Sequence, residues 1–326
     1  MKNLILFIVV ALMWQHTNAQ EIAADSKGKS IFTYYGFEES RFNFSADDLT
    51  VTFGINRLFD SIFYYRSPDT INVLKKRGMV IQLGLLNANK NIDLSELNKF
   101  TPGYILRLGY QNNVQAISDN YRGATFSWGF SGRFSIDKFK LYDPATALVT
   151  DEKPVTYGLE TNLTWFPMQI KGGRLFLMHT NLSLLKTWND DDMYRFKELD
   201  GDIIYNDGSI IAFEDFDGRY GTLIENIDKV RLAISTPFYF GDYITGTSRL
   251  AKTVKHISII PYATVSTTSV SKPLYMTGGF LNFLSKPMDL NKFTAPSSLG
   301  IGIDWQKDSE GWSKSTIFLK GSIAIK

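Results

Sequence analysis

The chain contains no cysteine. That absence excludes disulfide frameworks, thiolate zinc sites, thiol nucleophiles, cysteine-held clusters and lipidation on a thiol. Charge of one sign is also missing: 35 Lys and Arg stand against 33 Asp and Glu, a formal net charge of +2. Such a balance gives no overall bias toward polyanions, and nothing supports nucleic-acid binding. After the first twenty residues no stretch reaches the roughly 18 consecutive apolar residues of a membrane-spanning helix. Helical periodicity is nearly absent as well, with one or two turns expected only at Asp93–Phe100 (DLSELNKF). What is present is ample for folding. With 326 residues, 44% hydrophobic and 14% aromatic, and a mean hydropathy of -0.11, the chain can bury a large apolar surface, which excludes wholesale disorder.

Met1, Lys2 and Asn3 form a short basic start, and Leu4 to Trp14 (LILFIVVALMW) is an eleven-residue apolar run, too short to cross a bilayer as a helix. The pattern reads as an export signal, residues 1–19, with cleavage expected after Ala19 in Thr17-Asn18-Ala19. Residues 20–326 are expected to form one domain. An exported chain without cysteine suits an oxidising envelope, since it holds no thiol to oxidise.

Within that domain the period is two. Ala124, Phe126, Trp128, Phe130, Phe134 and Ile136 share one face, with Thr125, Ser127, Gly129, Ser131, Arg133 and Ser135 on the other. Val155, Tyr157, Leu159, Leu163 and Trp165 alternate in the same way with Thr156, Gly158, Glu160, Asn162 and Thr164. The stretches 299–305 and 317–325 repeat the pattern. Further strands are expected near 30–37, 49–57, 78–86, 103–111, 173–186, 228–238, 252–267 and 272–284, about twelve in all, with a range of 10–14.

Alternation alone does not separate a soluble sandwich or lipocalin-like barrel, apolar inside, from a membrane barrel, apolar outside. Three features favour the membrane barrel. The polar face of the clearest strands is small and lightly charged, where a water-facing sheet usually carries many Lys and Glu. Trp165, Trp188, Trp305 and Trp312 stand near strand ends, as an interfacial aromatic girdle requires. The connections are unequal, tight at Gln169–Gly173 and very long after Trp188, as in barrels with short periplasmic turns and long outer loops.

An export signal, alternating segments of about ten residues, aromatics at strand ends and a final alternating strand over Thr316–Lys326 together resemble Gram-negative outer-membrane β-barrel proteins. The resemblance covers nearly all of residues 20–326, at the level of the superfamily. It implies a closed antiparallel transmembrane barrel in the outer membrane, in contact with its lipid. One departure is the terminus: many such barrels end in an aromatic residue, and this chain ends Ile323-Ala324-Ile325-Lys326.

Residues 189–228 depart from the rest. Twelve acidic residues there face three basic ones, a net charge of -9 against +11 for the remaining chain. Read as an external loop, this segment holds Asp190, Asp191 and Asp192 and the Asp215-Phe216-Asp217-Gly218 sequence. Clustered oxygen ligands suit Ca²⁺, yet the spacing lacks the rest of an EF-hand loop. A solvated acidic surface or a contact for a protein partner is the competing reading, and no metal or cofactor is assigned. Asp202–Phe213 (DIIYNDGSIIAF) is expected to fold as a small hairpin around Asn206-Asp207-Gly208.

The catalytic inventory is thin. His256 and Ser258 share a strand face, similar to the His-x-Ser of outer-membrane phospholipase and lipid A deacylase barrels, and His179, Asn181 and Ser183 share another. A structural histidine is favoured over a His–Ser hydrolase, since Ser and Thr are abundant in every strand. No GxGxxG, P-loop, HExxH or Gly-x-Ser-x-Gly is present. The register of the strands places Gln82, Arg107, Ser127, Ser131, Arg133, Glu160, Asn162, Thr164 and Arg231 in the lumen, three arginines against one glutamate. That bias suggests a passive, weakly anion-selective channel for small polar solutes. The alternatives are a non-conducting accessory subunit of an outer-membrane assembly, secretion or uptake complex that docks through the acidic loop, and, third, a lipid-hydrolysing barrel.

Overall fold

Period-two alternation becomes one continuous antiparallel meander in the computed structural model of the chain. The structure describes residues 21–24, 30–33, 40–45, 50–66, 71–86, 103–117, 121–122, 125–143, 148–166, 169–170, 178–189, 193–196, 203–204, 210–211, 218–240, 247–286, 297–307, 311–312 and 315–325. Twelve principal strands are β1 (Ser40–Ser45), β2 (Thr50–Arg66), β3 (Ile71–Leu86), β4 (Gly103–Ile117), β5 (Thr125–Ile136) and β6 (Val155–Phe166). They continue as β7 (Met178–Thr187), β8 (Ile227–Ser235), β9 (Ile257–Thr268), β10 (Leu274–Leu284), β11 (Ser298–Lys307) and β12 (Thr316–Ile325). Each pairs with the next in sequence. β12 returns to β1, with Lys320–Ile325 against Ser40–Ser45. After Thr236 and Pro237, β8 resumes as Phe238–Tyr239, still paired with β9.

The faces are inverted relative to a soluble sheet. Along β5, Phe126, Trp128, Phe130 and Phe134 are exposed, whereas Ser127, Ser131 and Ser135 are buried. The same holds on β6, where Leu159 is 56% exposed and Thr164 only 1%. Leu184 on β7, Val230 and Ile234 on β8, Leu281 and Phe283 on β10, and Leu299 and Ile301 on β11 extend the apolar exterior. Each such side chain forfeits roughly 1.5–3 kcal/mol in water compared with an apolar surrounding. A contiguous exterior of this kind requires an apolar medium or partner.

One side of the interior is aromatic. Phe280 and Phe318 are buried and stacked, with ring centroids 6.0 Å apart. Their rings lie on the backbone of Gly300 and Gly302 of β11, where a side-chain carbon would collide with them. Glycine is required here by close approach rather than by turn geometry.

Two further units attach. Glu21–Ala24 and Ser30–Thr33 form an antiparallel pair. The backbone of Ser30–Thr33 comes within 8 Å of β7 and β8, and that of Glu21–Ala24 within 8 Å of β12. A four-stranded sheet combines Phe139–Asp143 and Leu148–Glu152, from the β5–β6 connection, with Tyr194–Phe196 and Gly218–Tyr220, from the β7–β8 connection. In an up-and-down meander both connections fall at the end opposite the start of β1.

Three expectations are corrected. The strand expected near 30–37 belongs to the small N-terminal pair rather than to the principal sheet, and Ser40–Ser45 takes its place. The stretch expected to begin a strand at 252 begins as a helix, α1 (Arg249–Val254), because Ser248 caps it by accepting a hydrogen bond from the Ala251 amide. β2, β3 and β4 are also longer than expected, at 17, 16 and 15 residues. Residues 1–19 and Asp93–Phe100 lie outside the described residues.

Candidate functional site: the buried face of the sheet

The inward row of β2–β7 carries charge in a connected array. Thr52 accepts from the Gln82 amide at 2.8 Å, and the Gln82 carbonyl accepts from Arg107 Nη1 at 2.8 Å. Arg107 Nε lies 2.7 Å from Glu160 Oε2, and Arg133 Nη1 lies 3.2 Å from Glu160 Oε1. Register makes the cluster. Gln82 is the cross-strand partner of Arg107, and Arg107 is the partner of Arg133. Directly opposed like charges destabilise a sheet, and the carboxylate from β6 offsets that repulsion.

Farther along the same face, Gln111 donates to Ser127, Ser127 donates to Asn113, and Gln111 donates to Asn113 at 3.0 Å. Thr164 and His179, partners across β6 and β7, share a hydrogen bond of 2.7 Å between Oγ1 and Nδ1, with His179 fully buried. Asn162 and Arg231 are buried, Arg231 standing between Ser183 and Ser266 in register. All nine residues assigned to the inner face from sequence thus lie on the side opposite the exposed apolar row.

The array also holds groups that sequence reading missed. Tyr262 donates to Asp304 Oδ2 at 2.7 Å across the aromatic side. Lys229 and Lys320 are buried. Ser258 Oγ and both polar atoms of the Asn282 amide are buried without a hydrogen-bond partner among the described residues, although these two residues face each other across β9 and β10.

The remaining candidates are placed as follows. Trp165, Trp305 and Trp312 are exposed. Trp188 is corrected: it is 2% exposed, stacked on Phe139 at 4.7 Å, and donates from Nε1 to Asp137 at 2.8 Å. The buried Arg219 guanidinium sits 4.6 Å from the Trp188 ring and 5.3 Å from that of Phe139, in a small core with Leu141 and Met193. The four-stranded sheet draws Trp188 inward, because its indole proton finds a carboxylate and its face a cation there. His256 Nδ1 hydrogen-bonds the Leu284 carbonyl at 2.9 Å, and Ser183 donates to Asn181 at 3.2 Å. His256 thus bonds a backbone carbonyl and not Ser258, whose Oγ has no hydrogen-bond partner among the described residues.

Ile203–Ile204 pairs with Ile210–Ile211 around the expected Asn-Asp-Gly turn. Asp190, Asp191, Asp192, Asp215 and Asp217 lie outside the described residues. Among the described residues no group of three or more ligating side chains converges on a metal position.

No protein-family model and no curated protein matches the chain. Among solved structures, the β domain of the Bordetella autotransporter BrkA is similar at 9% identity and a TM-score of 0.34, over 88% of this chain and 96% of that one. Pseudomonas aeruginosa OccK5 (OpdH) is similar at 6% identity and a TM-score of 0.25, also over 88% of this chain and 96% of that one.

Proposed function

We propose that the chain is a closed transmembrane β-barrel of a Gram-negative outer membrane that serves as a passive, weakly anion-selective solute channel, shut in the conformation described. The inverted sheet carries this reading. Apolar side chains dominate the outside of β5–β8, β10 and β11, while hydroxyls, amides and charges line the inside of β3–β8 and the aromatic side holds Phe280 and Phe318, an arrangement suited to lipid. The β1–β12 ladder supports closure, since it joins the first strand to the last. Inside, Arg107, Arg133, Lys229, Arg231 and Lys320 stand against Glu160 and Asp304, a cationic excess that favours anions.

Reconstitution in a planar bilayer under a KCl gradient tests the proposal. Unitary current steps whose reversal potential has the anion sign are expected, sparse because the interior is packed.

A second reading, a non-conducting subunit of an outer-membrane complex, is supported by that packing: Asn113, His179, Ser258 and Asn282 have no water-accessible surface. A folded barrel that stays silent in the bilayer and purifies with stoichiometric partners in mild detergent assigns the chain to this second class.

A further inference from the structure

We infer that the N-terminal hairpin, Glu21–Ala24 paired with Ser30–Thr33, plugs the barrel from the end that carries the start of β1 and the end of β12. The inference rests on the barrel reading and names the element that shuts it. One strand of the hairpin approaches β7 and β8, while the other approaches β12. Around the sheet, β8 and β12 are four strand positions apart, and β7 and β12 five. Strands spaced about 4.8 Å and tilted about 40° give a twelve-strand ring roughly 24 Å across, so the chord from β8 to β12 is about 21 Å. Two paired strands about 4.8 Å apart, each within 8 Å of the wall it faces, bridge that chord.

From outside, the same contacts are unattainable. The wall made by β9, β10 and β11 bulges outward between β8 and β12, so an external hairpin would lie on those three strands instead. Burial agrees with an internal position. On β7 and β8 the inward Asn181, Ser183 and Arg231 are shielded from water, while the outward Leu184, Val230 and Ile234 remain exposed. Cover on β7 and β8 is therefore on the inner face, as a hairpin inside the sheet requires. Withdrawal of the hairpin opens a water path along the wall that carries Lys229 and Arg231.

The absence of native cysteine makes a positional test clean. Ser30, Ile31, Phe32 and Thr33 are each replaced by cysteine in turn, paired with Asn181→Cys on the inner row of β7 or with Leu184→Cys on its outer row. The folded protein is treated in detergent with a short thiol cross-linker. Cross-links to the inner position and none to the outer one are expected. Cross-links to the outer position, or to neither, overturn the plug.

Deletion of residues 21–33, with folding verified by heat-modifiable gel migration, is expected to raise bilayer conductance at least tenfold over the full chain. If the deletion variant folds and stays silent while inner cross-links form, the hairpin keeps its place and the channel reading falls. Should the deletion prevent folding, the cross-links in the full chain decide the matter.

Discussion

Arg107 and Arg133 face each other directly across the β4–β5 ladder, and both reach the single carboxylate of Glu160 on β6. The three side chains retain only modest contact with water, 12–18% of their surfaces. Removing the carboxylate leaves two adjacent cations with weak solvation. Glu160→Ala is expected to destabilise the fold by on the order of 3 kcal/mol, the usual result of breaking a largely buried pair from one side. Adding Arg133→Ser should recover most of the loss. Urea unfolding of the single and double variants in detergent measures both, and equal stability of Glu160→Ala and the parent would refute the coupling.

The exterior makes a contrasting prediction. Leu159 projects from the middle of β6 away from the polar row. Leu159→Arg is expected to cost about 2–4 kcal/mol in lipid, as for a cation on the lipid face near the midplane. A soluble sheet would tolerate the same change and gain solubility. Folding yield into phospholipid vesicles, compared with the parent, separates the two outcomes.

The glycines beneath the aromatic side are expected to be intolerant. Gly302→Ala places a methyl group where the Phe318 ring lies, and Phe318 is itself stacked on Phe280. The expected cost is about 1–3 kcal/mol, relieved in the double variant with Phe318→Leu. Failure of the second change to restore the melting temperature would show that the ring is not the obstacle.

Ser258 and Asn282 predict the opposite sign. Their buried polar atoms have no partner among the described residues, so they lower stability rather than add to it. Ser258→Ala combined with Asn282→Leu is expected to stabilise the fold by about 1–3 kcal/mol. A drop in urea midpoint would mean that a bound water or solute satisfies these groups.

Which of these relationships could be read from sequence depended on the strand. Along β5 and β6 small polar residues alternate strictly with large apolar ones, so period and phase were both legible. Along β10 the run Leu274–Leu284 has apolar residues on both faces, which erases the phase, and Phe280 and Phe318 were not expected inside. The charged cluster was legible as three inward residues but not as a cluster. Opposition of Arg107 and Arg133 depends on the register between β4 and β5, which no single-strand pattern encodes. Trp188 misled for a related reason. A tryptophan at a strand end suits a membrane interface equally well whether or not a loop folds back over it, and the covering residues come from distant connections.

The ladder between β1 and β12 also fixes an order in time. It joins residues 40–45 to residues 320–325, so the second edge of β1 finds its neighbour only after every intervening strand has been made. Until then β1 and the newest strand each present an unsatisfied edge, and the intervening apolar surfaces lack their medium. Contacts this far apart in sequence form slowly. The closing pair therefore waits on all the strands between, and loss of β12 leaves one unpaired edge on β1 and another on β11.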